Sequence, residues 1–233
     1  IYHAKVWREK VNIRLDNDEV AIKNLKKLLD NKNISGQDLA DANAMLTQAY
    51  MNIEAKDSAV AALKIAIKAT ESNEENARYT FILGQLYESM NHQDSAFASF
   101  EEVIQMNRKS PRRYVIQAHA KQAQQFDYLK GDTLVFVEKF QKLLDDRENR
   151  PYLDILNHQM GIFYDKQNQN KLAEKFYNKS IKATSQDTYL ISSNYRNIAE
   201  IKFREAKYIT AGKYYDSTLL RLNDRTREYL YLI

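Results

Sequence analysis

A four-residue spacing recurs about every 38 residues along this chain of 233 residues, and a fixed period of that size limits the fold to stacked repeats. The clearest copy is Gly84, Tyr87, Ala96 and Phe100. It returns as Thr47, Tyr50, Ala59 and Leu63, and again as Gly161, Tyr164, Ala173 and Tyr177. The last copy reads Ala199, Lys202, Ala211 and Tyr215, and the first reads Glu9, Asn12, Ala21 and Leu25. Only five Gly and two Pro occur, too few for a protein of many hairpins, so each repeat is expected to be helical.

The third copy shows how one repeat is built. From Ala77 to Met90, the residues Phe81, Leu83, Leu86, Tyr87 and Met90 fall at helical spacing. Asn91-His92-Gln93-Asp94 breaks that helix, and Asp94 is placed to cap the next one. The second helix carries Ala96, Phe100, Val103 and Ile104 on one face, and Pro111 marks the turn that follows. Gly84 and Ala96 let two helices cross closely, while Tyr87 and Phe100 fill the space beside them. One such pair leaves a face uncovered and needs a neighbour.

The expected architecture is all-α: a right-handed α-solenoid of about six helix-turn-helix repeats in one array spanning 1–233. The repeats start near residues 2, 40, 77, 116, 154 and 192. In repeat one, Val6, Trp7 and Val11 are expected on the first helix, and in repeat two Asp57 is expected to cap the second. Repeat four is the least regular, with Phe136 and Phe140 one residue late after Lys130-Gly131-Asp132. Residues 226–233 read as the start of a further helix, and their apolar character implies a fragment of a longer chain.

Motifs for catalysis are missing from the sequence. There is no Cys, which removes thiol chemistry and Cys-ligated zinc. His3, His92, His119 and His158 are isolated, without a partner at metal-binding spacing. Acidic pairs such as Glu74-Glu75, Glu101-Glu102 and Asp145-Asp146 read as solvated faces. No phosphate loop or nucleophile elbow is found. The expectation is a non-enzyme without metal or cofactor. A net charge of +4 (35 basic, 31 acidic) is too small and too evenly spread to indicate nucleic acid.

The set Leu83-Gly84, Tyr87, Ala96, Phe100 and Val103-Ile104 resembles the tetratricopeptide repeat signature, and the resemblance covers nearly the whole chain. Departures are Glu9 and Asn12 in repeat one and Lys202 in repeat six, where looser packing is expected. The resemblance implies that the first helix of each pair lines a concave protein-binding surface. Its positions here are Lys10 and Arg14; Gln48, Met51 and Asn52; Arg78, Phe81, Gln85 and Glu88; His158, Ile162, Asp165 and Lys166; and Arg196, Glu200, Phe203 and Arg204.

Two strings carry a narrower resemblance. Lys142-Leu143-Leu144-Asp145-Asp146-Arg147-Glu148-Asn149-Arg150-Pro151-Tyr152 and Ala211-Gly212-Lys213-Tyr214-Tyr215-Asp216-Ser217-Thr218-Leu219 are similar to the SprE/PorW family. These are tetratricopeptide lipoproteins of gliding motility and type IX secretion in Bacteroidetes. The resemblance implies a periplasmic location at the outer membrane, protein partners in the secretion machine, and membrane contact only through an N-terminal lipid outside this stretch. Asp57-Ser58-Ala59, Asp94-Ser95-Ala96 and Asp132-Thr133-Leu134 also resemble the O-glycosylation acceptor of that group, although an N-cap role for each Asp explains the recurrence at one repeat position and is the preferred reading. Two other readings stay open: a cytosolic peptide-sensing regulator and a periplasmic activator of cell-wall synthesis.

Overall fold

The computed structural model describes residues 2–183, 187–222 and 224–225. Among the described residues there are twelve α-helices and no strand, as the repeat period requires. They form six consecutive pairs: α1 (Tyr2–Arg14) with α2 (Asp18–Leu29), α3 (Gly36–Asn52) with α4 (Lys56–Ala69), and α5 (Asn73–Ser89) with α6 (Gln93–Gln105). The other three are α7 (Arg112–Gln124) with α8 (Thr133–Asp145), α9 (Leu153–Lys166) with α10 (Asn170–Lys182), and α11 (Thr188–Arg204) with α12 (Tyr208–Leu219). The helices divide into two compact units, residues 1–118 and 119–233, with the boundary inside α7. Residues 226–233, expected to begin a further helix, lie outside the described residues.

Five of the six pairs turn in the same way. Their three-residue connections place a middle residue in the left-handed region: Asp16, Glu54, Asn91, Asn168 and Ala206, all at φ between 58° and 60°. The next residue then donates its N–H five positions back, as in Ala55 to Tyr50 O (2.8 Å), His92 to Tyr87 O (2.9 Å) and Lys207 to Lys202 O (2.9 Å). This is a Schellman-type stop, which satisfies a helix-end carbonyl. It also overrides the expected caps. The cap positions are taken by Ala55 and His92, without side-chain bonds. Asp57 and Asp94 therefore sit inside the first turn, where they complement the helix dipole instead of capping. Asp132 does cap, accepting from the N–H groups of Leu134 (2.9 Å) and Val135 (3.2 Å).

Small and large positions complement one another within each pair. A Cβ built on Gly84 would lie 2.5 Å from the Phe100 ring, and one on Gly161 would collide with the Tyr177 ring. Where the large partner shrinks to Leu63, Thr47 fits, its hydroxyl donating to Asn43 O at 2.8 Å. Where it is Leu25, the site admits Glu9, which is 1 % exposed. The expectation of loose packing there was wrong: Glu9 accepts from Asn12 (2.6 Å), Asn24 (3.1 Å) and Arg8 (2.7 Å). Burial raises the Glu9 pKa, but those hydrogen bonds and the Arg8 charge carry it below the usual carboxylate value. Lys202, in the place of a Tyr, ion-pairs with Glu174 and Glu205.

In unit 1 each pair packs on the next. Val6, Leu25 and Leu28 meet Ala42, Leu46 and Ala62. Ala59, Leu63 and Ala66 meet Tyr79, Leu83 and Leu86. Each fully buried Leu or Phe contributes roughly 1.5–3 kcal/mol. Unit 2 is more aromatic: Phe136 stacks on Phe163 with ring centres 4.1 Å apart, and Phe126 and Phe140 close around them. Phe136 holds the place that Ala has in other repeats. The α7–α8 connection runs over residues 125–132, longer than the other five, and carries the shifted phase seen in the sequence.

Candidate protein-binding site

The first helices of unit 1 together line a hollow. The hollow, about 270 Å³, is lined from three helices: His3, Trp7 and Lys10 on α1, Asp41 and Met45 on α3, and Glu75, Arg78 and Tyr79 on α5. Trp7 is 52 % exposed. Its indole Nε1–H donates to His3 Nε2 at 2.8 Å, and Lys10 Nζ sits 4.4 Å from its ring centre. Gln37 donates to both Asp41 (2.7 Å) and Glu75 (2.6 Å), which ties α3 to α5 at the edge of the hollow. Arg78 lies over the Tyr79 ring at 5.1 Å, and burial pushes the Tyr79 hydroxyl pKa up. An exposed aromatic between opposed charges, on rigid helices, suits recognition of a protein segment: the ring supplies contact area and the charges set its direction.

Lys10 and Arg78, both named from the sequence, line this one hollow. Arg14 is exposed at the end of α1. On α3, Gln48, Met51 and Asn52 are exposed, with Gln48 donating to Asn52 and Asn52 to Asp18. Gln85 is exposed on α5 and Glu88 is half-buried. Phe81 is a correction: it is 8 % exposed, its ring 5.5 Å from Phe100 and 5.9 Å from Tyr114, so it belongs to the core. Trp7 and Val11 lie on α1 as expected and are both about half exposed, because the buried side of α1 is Val6, Glu9 and Ile13. Trp7 was legible as a site residue, since it lies three and seven residues before Lys10 and Arg14 on one helical row.

Unit 2 is different. His158 is 7 % exposed, and a surface role for it is wrong. Asn194 donates to Ser180 Oγ (2.8 Å) and Leu190 O (2.9 Å), which leaves its oxygen to accept from His158 Nδ1 at 2.8 Å. Burial holds the His158 pKa below its ordinary value. Ile162 packs on the Tyr177 cluster. Asp165 pairs with Arg204, and Arg196 lies 3.8 Å from Glu200. Lys166 is exposed, and Phe203, 56 % exposed, meets Tyr208 at 5.2 Å. Among the described residues no group of three His, Asp or Glu side chains could hold a metal, and no helix is long and apolar enough to cross a membrane.

A tetratricopeptide repeat model matches residues 77–110 and 156–187, the α5–α6 and α9–α10 pairs with their connections. The chain carries tetratricopeptide repeats. Among solved structures it is similar to the apo form of the quorum sensor NprR from B. thuringiensis, at 13 % identity and a TM-score of 0.70, over 100 % of this chain and 67 % of that one. It is similar to the apo form of RapI at 14 % identity and a TM-score of 0.69, over 99 % of this chain and 65 % of that one. A third is the C-terminal part of a TPR repeat-containing protein from Cytophaga hutchinsonii, at 13 % identity and a TM-score of 0.62, over 93 % and 79 %. At these identities the likeness concerns the fold. No curated protein matches the sequence.

Proposed function

We propose that this tetratricopeptide chain is a non-enzymatic scaffold that docks a protein partner on the α1–α3–α5 face of unit 1. The observation that carries this reading is the hollow with Trp7 exposed in it, flanked by Lys10, Arg78, Asp41 and Glu75. The helices are held by packed cores, so the face is pre-formed and little ordering cost falls on binding. The setting we infer is the periplasmic side of the outer membrane, within a type IX secretion and gliding assembly. That part rests on the similarity of Lys142–Tyr152 and Ala211–Leu219 to the SprE/PorW family.

The test is affinity purification from a cell-envelope fraction with the native chain and with a Trp7→Ala, Arg78→Ala double variant. Secretion-machine proteins are expected with the native chain and are lost with the variant. Recovery of cytosolic proteins alone contradicts the periplasmic setting, and equal recovery by both proteins contradicts the face. A second reading, a cytosolic peptide sensor, is favoured by one observation: NprR, also solved in complex with its cognate peptide NprX, matches this chain at a TM-score of 0.62. The envelope experiment separates the two readings.

A further inference from the structure

We infer that the outward side of α10, in unit 2, is a docking surface for an extended segment of a partner protein that carries acidic residues at alternate positions. Lys171, Lys175, Lys179 and Lys182 lie on one row of this helix, opposite its buried residues Ala173, Phe176, Tyr177 and Ser180. All four are exposed, and among the described residues none of their ammonium groups has a hydrogen-bond or ion-pair partner. Lys179 Nζ lies 5.1 Å from the Phe176 ring centre. Glu174, the one acidic residue of α10, is taken up by Lys202 of α11. The helix packs on α9 and α11 inside unit 2, with one helix pair before its own and one after, so its outward side is a true surface of the repeat.

The row is peculiar to this repeat. With Ala21, Ala59, Ala96, Phe136, Ala173 and Ala211 aligned, the place of Lys171 holds Glu19, Asp57 and Asp94 in unit 1, Leu134 on α8 and Ile209 on α12. The other second helices carry at most two cations on the row, Lys23 and Lys27 of α2, and there Glu19 and Asp30 flank them. Lys179 and Lys182, in the last turn of α10, complement the helix dipole. Lys171 and Lys175 gain nothing of that kind. Lys171 is the second residue of a helix whose first turn has no acid, where the dipole disfavours a cation. Lys171 with Lys175, and Lys175 with Lys179, are like charges four residues apart, which repel. An anionic chain laid along the row relieves both costs. Lysines four residues apart advance about 6 Å along the helix. Alternate side chains of an extended chain are spaced about 6.6 Å on one side, so alternate acids keep step with the lysines. The flanking second helices do not widen the positive zone: the row on α8 holds Glu138, Lys142 and Asp145, and that on α12 only Lys213. The charge is a line one helix wide, which fits one extended chain and not the broad charged surface of a membrane or a duplex.

The row shares no residue with the α1–α3–α5 hollow, so either can fail without the other. The experiment titrates a rhodamine-labelled peptide of alternating Glu and Ser with this chain at low salt, read by fluorescence anisotropy. The peptide is expected to bind, to weaken as salt rises, and to bind about tenfold more weakly to a Lys175→Glu, Lys179→Glu variant. Its Gln-for-Glu counterpart is expected not to bind, and an isomer with the Glu residues in adjacent pairs is expected to bind more weakly. Lys23→Glu with Lys68→Glu, the same charge change at exposed positions of α2 and α4, and Trp7→Ala are expected to leave binding unchanged. Lys171→Glu is expected to weaken binding while raising the urea midpoint, which separates loss of the surface from loss of the fold. Absence of binding, equal binding by the Lys175, Lys179 variant, or an equal loss with the Lys23, Lys68 variant or Trp7→Ala overturns the proposal. Equal binding of the paired isomer overturns the alternate spacing. Vesicles of phosphatidylglycerol that bind through the same lysines more tightly than the peptide overturn the choice of occupant.

Discussion

Unit 1 and unit 2 are built from the same helix pair, yet they use the first helix differently. In unit 1 the row through Trp7, Asp41, Glu75 and Arg78 stays open and charged. On α9 of unit 2 the place that corresponds to Trp7 is drawn inward, only 5 % exposed. The counterpart of Trp7 is Gln159, and the counterparts of Val6, Ala44 and Phe81 include His158. That position holds Val6, Ala44, Phe81 and His158, all buried, while in the last pair it holds Arg196, which is half-buried. The repeat fixes where a residue sits; its chemistry decides whether that place becomes a core or a surface.

The comparison is most severely tested at the helix crossings. Gly84→Ala and Gly161→Ala each force a Cβ into a buried ring, and each is expected to cost about 1–3 kcal/mol. The chain has one tryptophan, Trp7, which lies in unit 1, so its emission follows that unit while circular dichroism follows both. Gly84→Ala should lower the urea midpoint seen by Trp7, and Gly161→Ala should leave that midpoint near native while lowering the dichroism midpoint. Equal shifts by both probes for both variants would merge the units into one cooperative block.

Acidity should separate the units next. The folded His158 pKa lies below the ordinary 6.5, so the unfolded chain binds the proton more readily. Its contribution is therefore present above 6.5 and is lost as pH falls from there toward the folded value. The Glu9 pKa is also lowered, but from 4.5, so its contribution to unit 1 persists until more acidic conditions. Urea unfolding at about pH 7.5 and about pH 5.5 should show unit 2 weakening and unit 1 holding. His158→Gln should remove that difference.

A smaller effect is expected at the turns. Asp16, Asn91 and Asn168 tolerate the left-handed conformation, whereas Ala206 pays a steric penalty for it. Ala206→Gly should raise the stability of unit 2 by about 0.5–1 kcal/mol, since relief of strain exceeds the entropy of glycine there. A loss of stability in the dichroism midpoint would show that the turn is not strained.

Much of this was legible from the spacing. The period located all six pairs, because the small-to-large crossings recur in the sequence as they do in the packing. The caps were misread because the left-handed turn residue, Glu54 or Asn91, leaves the cap position to Ala55 or His92. Phe81 and His158 were misplaced because helical spacing alone puts them beside exposed neighbours, while the register puts them with Val6 and Ala44. Trp7 was placed on the first helix but not counted among the surface positions, although it shares a row with Lys10 and Arg14. The polar network of Asn194, Ser180 and His158 had no sequence signal, since its members come from three helices.

The central claim is that partners engage the face around Trp7, and the emission of this tryptophan measures it directly. With the partner recovered from the envelope fraction added stepwise, Trp7 emission is expected to shift to shorter wavelength and saturate as the ring leaves water. Arg78→Ala should weaken the half-saturation point by about tenfold. A partner that binds to saturation while Trp7 emission stays unchanged would place recognition elsewhere on the molecule and contradict the account.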